Sequence, residues 1–169
     1  MGVDPGLGIT GYGVIESNSG GFQVLAAGVV QTLSKIPLEQ RLMTLHSALE
    51  SLLKEHCPAV LVLEELYSHS RHPATAITMA HARGVVCLAA ARQGIPVVGY
   101  AARRVKQVIT GNGAADKSQV NRMIEFHLNW RDPEAPLDVT DALSLGLTYL
   151  RLQETQSRMG RVLSESLRR

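Results

Sequence analysis

The sequence is poor in aromatic residues, which make up 4% of it and include a single tryptophan. Its core therefore has to be assembled from Leu, Val, Ile and Ala. Only two cysteines occur, Cys57 and Cys87, in apolar surroundings and without CxxC spacing. That excludes a disulfide framework and a zinc site, and it points to buried, reduced thiols in a cytosolic protein. No apolar run approaches the ~20 residues needed to span a bilayer. No secretory leader is recognisable either, so a soluble, cytoplasmic protein with no membrane partner is expected. An excess of charge of one sign is also missing: the formal charge is +2 and the pI about 8.7. Such a balance is too mild to imply nucleic acid by itself, and the distribution of charge has to make the case. Internal repeats and low-complexity segments are absent.

What is present fits one compact domain with a well-filled core: 169 residues, 45% hydrophobic and 19% charged. The chain is organised around its opening, Met1-Gly2-Val3-Asp4-Pro5-Gly6-Leu7-Gly8-Ile9-Thr10-Gly11. A short apolar strand ends in the carboxylate of Asp4. Pro5, unable to donate to a sheet ladder, marks the stop. The glycines that follow allow a tight path and let a backbone or phosphate approach Asp4. A hairpin turn in which Asp4 bonds only its own backbone accounts for the same residues.

Two further strands are predicted near Tyr12 to Glu16 and Phe22 to Val30, joined as an antiparallel meander. Pro37 opens a helix in which Leu38, Leu42, Leu45, Leu49, Leu52 and Leu53 recur at helical spacing, and Pro58 stops it. Ala59 to Leu63 is a continuous apolar run suited to a strand buried on both faces, and it ends in Glu64 and Glu65. A polar loop from Leu66 to Pro73 leads to a long helix over Ala74 to Arg92, terminated by Gly94. Pro96 to Tyr100 reads as another buried strand. Shorter helices follow over Ala101 to Ile109 and Lys117 to Leu128, and a last core helix over Asp138 to Leu150. This order predicts an α/β domain: a five-stranded mixed sheet, an antiparallel three-strand meander plus parallel strands, with helices on both faces. The domain spans residues 1–152, and residues 153–169 form a polar C-terminal tail, helical or frayed.

Four carboxylates stand where such a fold can gather them. Asp4 and Glu64 end strands that converge if they are neighbours, and Asp138 and Asp141, spaced i, i+3, share one side of the last helix. Four acids in one place repel unless hard cations neutralise them. The cluster suits two magnesium or manganese ions about 3.5–4 Å apart, the arrangement used in phosphodiester hydrolysis. Asp138 equally suits a helix N-cap, and Asp141 the positive end of the helix dipole. Glu65 points to the opposite face of its strand. From Ala101 to Met123 five basic residues stand against one acid, Asp116, which is the footprint of phosphate contacts or of a solvated helix face. His69 and His72 are expected to be exposed in the loop, and His81 to be a satisfied structural histidine.

Taken in order, these residues resemble the RuvC family of bacterial Holliday junction resolvases. The resemblance rests on Asp4-Pro5-Gly6, Thr10-Gly11-Tyr12-Gly13, Leu63-Glu64-Glu65, Ala82-Arg83-Gly84, Tyr100 to Arg103, Val105-Lys106-Gln107, Lys117 to Val120 and Asp138 to Leu143. It runs from about residue 1 to 150. It implies an RNase H-like fold and a homodimeric, metal-dependent endodeoxyribonuclease that nicks two strands of like polarity at a four-way junction. Asp4, Glu64, Asp138 and Asp141 carry over as catalytic, metal-binding acids, with Mg2+ or Mn2+ as cofactor, two ions per site. Tyr67 carries over as the aromatic that stacks on junction bases. Lys106 and Lys117, within a group that includes Arg103 and Arg104, carry over as DNA contacts. RuvA and RuvB branch-migration proteins are the implied partners besides four-way junction DNA.

Two other functions compete. A nuclease acting on RNA–DNA hybrids would share the fold, and a non-catalytic module would bind junctions without cutting them. The intact set of four acids argues against the second, because a binder has no need to concentrate negative charge where DNA docks. An actin-like ATPase, which also opens with a glycine-rich hairpin after an aspartate, needs far more chain than 169 residues.

Overall fold

The computed structural model describes residues 1–65 and 73–166. Ten elements run in the order β1 (Gly2–Asp4), β2 (Ile9–Asn18), β3 (Gly21–Gln31), α1 (Leu38–His56), β4 (Leu61–Glu64), α2 (Pro73–Arg92), β5 (Val97–Tyr100), α3 (Ala102–Thr110), α4 (Lys117–Leu128) and α5 (Leu137–Ser166). The sheet has the order β3-β2-β1-β4-β5. β1, β2 and β3 pair antiparallel, whereas β4 joins β1 and β5 in parallel. The expected meander and parallel extension are both present.

Side-chain alternation in β4 divides the core. Leu61 and Leu63 point into the layer formed by α1 and α2, where Leu45, Leu49 and Leu53 recur every fourth residue of α1 and meet Ala82, Val86 and Ala89. Val62 points the other way, toward α3, α4 and α5, among Ile109, Ile124, Leu143 and Leu147. A strand covered on both faces has to be apolar throughout, which is why the run before Glu64 lacks alternation.

α5 lies directly on β1 and β2. A Cβ on Gly2 would come within 2.0 Å of the Ala142 carbonyl oxygen, and one on Gly11 within 2.0 Å of the Asp138 carbonyl oxygen. Only glycine permits that approach. α4 starts sharply because Asp116 accepts from the Gln119 amide at 2.8 Å, while the Gln119 side chain accepts from the Asp116 amide at 2.9 Å. The two bonds form a capping box.

Three sequence expectations are refined or corrected. The last core helix does not stop near Leu150: of the two alternatives for the tail, helical or frayed, the helical one is present, and α5 continues unbroken through residue 166, because no proline interrupts the segment and Gly160 alone is tolerated within it. Cys57 is exposed rather than buried; it terminates α1 in the left-handed region, φ 41°, returning its amide to the Leu53 carbonyl. His81 is exposed on the outer side of α2, not satisfied within the core. Tyr67, His69 and His72 lie outside the described residues.

Candidate metal and nucleic-acid site

Register brings the first two acids together. Val3 is paired with Leu63 in parallel β1 and β4, so Asp4 and Glu64 leave neighbouring strands at the same level. Gly2 and Asp4 share a face of β1, as Val62 and Glu64 share one of β4, and that face is the one covered by α5. The first turn of α5 supplies Asp138, and Asp141 follows one turn on.

The turn after Asp4 is tied down. Thr10, wholly buried, donates to the Gly6 carbonyl at 2.6 Å. The Thr32 hydroxyl donates to the Leu7 carbonyl and in turn accepts from Arg41 Nε at 3.0 Å. Asp4 therefore stands at the end of a held strand rather than on a free loop.

Asp4, Glu64 and Asp141 line one recess of about 360 Å³ together with Lys106 and Lys117. Burial pushes the Asp4 carboxyl up to about 7, and the charges of Asp141, Asp138 and Glu64 push in the same direction, opposed by Lys117. Burial and then Asp141 also raise Glu64, with Lys117 and Lys106 opposing. Asp138 does not line the recess but is close enough to burden Asp4. The Lys117 ammonium donates to Asp141 Oδ2 at 2.8 Å, which raises its own proton affinity.

Four hard carboxylates under mutual repulsion are the donor set a divalent hard cation takes. As the side chains stand, no three metal-binding groups among the described residues are gathered closely enough to hold one ion. Asp141 is engaged by an ammonium, that of Lys117. The residues fit the cation in type, and ligation requires their side chains to turn toward one another.

The expected basic contacts separate. Lys106 and Lys117 reach the recess. Arg103 packs beneath the α3–α4 turn, where a Cβ on Gly113 would lie 2.9 Å from its Cγ. Arg104 departs from the group: it lines a second recess with Phe22, Val108 and Arg151, because residues two apart on a helix face nearly opposite ways. One residue was given no role by the sequence reading. Arg83 of α2 donates through Nη1 to the main-chain carbonyl of Glu64, holding the end of β4. Its only sequence signal was membership of the Ala82-Arg83-Gly84 run.

A β3-β2-β1-β4-β5 mixed sheet with helices on both faces, and with acids at the ends of its two central strands and on the helix laid across them, defines the RNase H-like class of metal-dependent nucleases. Comparison with known proteins narrows this. The family model described as crossover junction endodeoxyribonuclease RuvC matches residues 1–149. A curated relative of that description from Rhodopirellula baltica is 43% identical over 147 residues, covering 87% of this chain and 83% of the relative. Thermus thermophilus RuvC, solved in complex with a Holliday junction substrate, superposes with a TM-score of 0.82 at 30% identity, covering 90% of this chain and 94% of that one. The yeast mitochondrial Holliday junction resolvase Ydc2, at 12% identity and a TM-score of 0.70 over 97% of this chain and 84% of its own, shares the fold. The chain belongs to the RuvC family of crossover junction endodeoxyribonucleases.

Proposed function

We propose that this protein resolves Holliday junctions in recombination and DNA repair by paired, symmetric nicks, with Asp4, Glu64, Asp138 and Asp141 as its metal-binding catalytic acids. The observation that carries the reading is the convergence of Asp4, Glu64 and Asp141 in a recess that also holds Lys106 and Lys117. A non-catalytic binder would gain nothing from acids that repel both one another and DNA.

When bound, two divalent ions, Mg2+ or Mn2+, supply water activation and charge neutralisation at the scissile phosphate. The rest falls to the chain itself. Asp4 and Glu64, fixed at strand ends, set the position of the ions, and α5 brings Asp138 and Asp141 to the same centre. Lys106 and Lys117 draw the phosphate backbone in and offset part of the mutual repulsion of the acids, the remainder of which bound divalent ions would neutralise. Tyr67 is assigned to stacking on a junction base, an interaction worth ~1–3 kcal/mol. Arg103 is assigned to flanking phosphates through its place beside the α3–α4 turn. Arg104, on the far side of α3, is assigned at most to a peripheral phosphate.

A homodimer supplies the second active site for the second strand. Supporting it is the outer side of α2, where Ile77 and Leu88 are 58% and 54% exposed and Gly84 has open space above it. RuvA and RuvB remain the proposed protein partners, in a cytoplasmic setting. No described helix is long and apolar enough to cross a membrane.

The test is cleavage of a synthetic mobile four-way junction by the wild type and Asp4→Asn, with magnesium, manganese or chelator. Symmetric, metal-dependent nicks that vanish in the variant while junction binding survives are expected. Tight binding without nicking in any metal would leave only a binding module. Preferential cutting of an RNA–DNA hybrid would reassign the substrate.

A further inference from the structure

Lys117 occupies a position that helix physics does not favour. It is the first residue of α4, where the positive end of the dipole repels an ammonium, yet the capping box at Asp116 and the buried Val120 fix it there. From that place it reaches across to α5, and its ammonium lies 2.8 Å from Asp141 Oδ2. The pair is open to solvent, with the two side chains 67% and 31% exposed. Lys106 shares the recess but forms no salt bridge among the described residues. Nor are any three described metal-binding groups drawn together, although four acids surround the centre.

We infer that Lys117 is a built-in counter-ion that holds Asp141 until metal enters, and that metal then frees its ammonium for a DNA phosphate. This deepens the proposed function and rests on the four acids being the metal site. A dication on Asp141 and an ammonium on the same carboxylate are like charges, so each weakens the other's hold, and the solvent-exposed lysine is the more weakly held of the two. The displaced ammonium remains at the mouth of the recess, where the scissile strand must pass. Metal binding therefore creates a DNA contact, and by linkage DNA that captures Lys117 tightens metal binding in equal measure. Lys117 acts here as a positioning residue whose partner changes during assembly of the site.

The experiment titrates Mn2+ into the full chain without DNA and reads free Mn2+ by electron paramagnetic resonance. The variants are Lys117→Gln, Lys106→Gln as a control for simple loss of positive charge, and Asp4→Asn. Lys117→Gln is expected to tighten Mn2+ binding about tenfold, within the usual range of coupling between sites. Lys106→Gln is expected to change it about twofold or less, as for a charge without a direct contact. Tightening by Lys117→Gln that is absent, or no greater than that of Lys106→Gln, overturns the exchange while leaving the metal site intact. Mn2+ binding that is indifferent to Asp4→Asn overturns the metal site itself, and the exchange with it. A second readout follows the Nζ resonance of Lys117 by NMR, which should lose its hydrogen-bonded character at saturating Mg2+. An unchanged resonance means that the pair survives metal binding, which refutes the proposal.

Discussion

Asp4 and Glu64 stand at one level on adjacent parallel strands, each the residue that follows the Val3–Leu63 pair. Their juxtaposition needs no loop and no induced fit, only the sheet register. That register places two negative charges side by side before any cation arrives, and the consequence is measurable in the free protein.

In chelator, burial and like charge lift the Asp4 carboxyl from its usual 3.8 to about 7. The unfolded chain then loses this proton at lower pH than the native one, so the group's contribution to stability is intact below about pH 4. It falls as pH rises toward 7 and stays low above. Asp4→Asn, uncharged throughout, should match the wild type in Tm near pH 4 and exceed it increasingly up to pH 7. A Tm difference that does not change with pH would remove this account.

Divalent metal should reverse that order. At a hundredfold excess over Kd, binding to the native state adds about 2.7 kcal/mol, or roughly 5–10 °C in Tm for a chain of this size. Scanning fluorimetry with Mg2+ or Mn2+ should show that gain in the wild type and little of it in Asp4→Asn or Glu64→Gln. An equal gain in all three would place the ions elsewhere.

Salt dependence should distinguish the basic residues. Lys106→Ala is expected to weaken junction binding and to lower the slope of log K against log salt by about 0.9, one phosphate contact. Arg104→Ala, which lines the recess shared with Phe22 and Arg151, should change the slope by much less. The two slopes come from binding titrations in Ca2+ at several salt concentrations, and equal slopes would return Arg104 to the interface.

Exposed apolar groups on α2 give the proposed dimer a direct test. Leu88→Glu or Ile77→Glu should halve the mass seen by light scattering. Because both side chains are exposed in the isolated chain, the cost to folding should stay within about 0.5 kcal/mol. Wild-type mass in both variants would move the interface off this helix.

Arg83 should act through Glu64. Arg83→Ala is expected to lower single-turnover cleavage about 10- to 100-fold, the scale of a small displacement of a catalytic group. Junction affinity should change little, and Arg83→Lys should recover part of the rate. A drop in affinity equal to the drop in rate would make Arg83 a DNA contact instead.

The acids were legible because their signals are local: Asp4 and Glu64 terminate apolar strands, and Asp138 and Asp141 share a helix side by spacing. Neighbouring strands had only to be guessed adjacent. Arg104 stands apart from the acidic recess because composition counts charge along a segment, whereas the side of α3 that packs decides where each charge goes. Arg83 was invisible as a contact because it bonds a main-chain carbonyl 19 residues away, and a carbonyl has no sequence signature. The length of α5 was missed for a different reason: a polar stretch reads as a tail until packing or a breaker decides otherwise. Cys57 was misread because the apolar run after Pro58 was weighed and the polar Lys54-Glu55-His56 before it, the last turn of α1, was not.

The approach of α5 to the sheet over Gly2 and Gly11 turns the usual scale of conservative substitution upside down. In the interior, Leu49 exchanged for methionine keeps its volume and should cost under about 1.5 kcal/mol. One methyl group at Gly2 or Gly11 would instead act as a wedge driven against backbone, with no flexible neighbour to yield. It would lift the helix that bears Asp138 and Asp141 away from the strand that bears Asp4. The spacing of the four acids is thus written in atoms that are not there. A survey of tolerated substitutions across this chain should find its least forgiving positions where no side chain exists to be replaced.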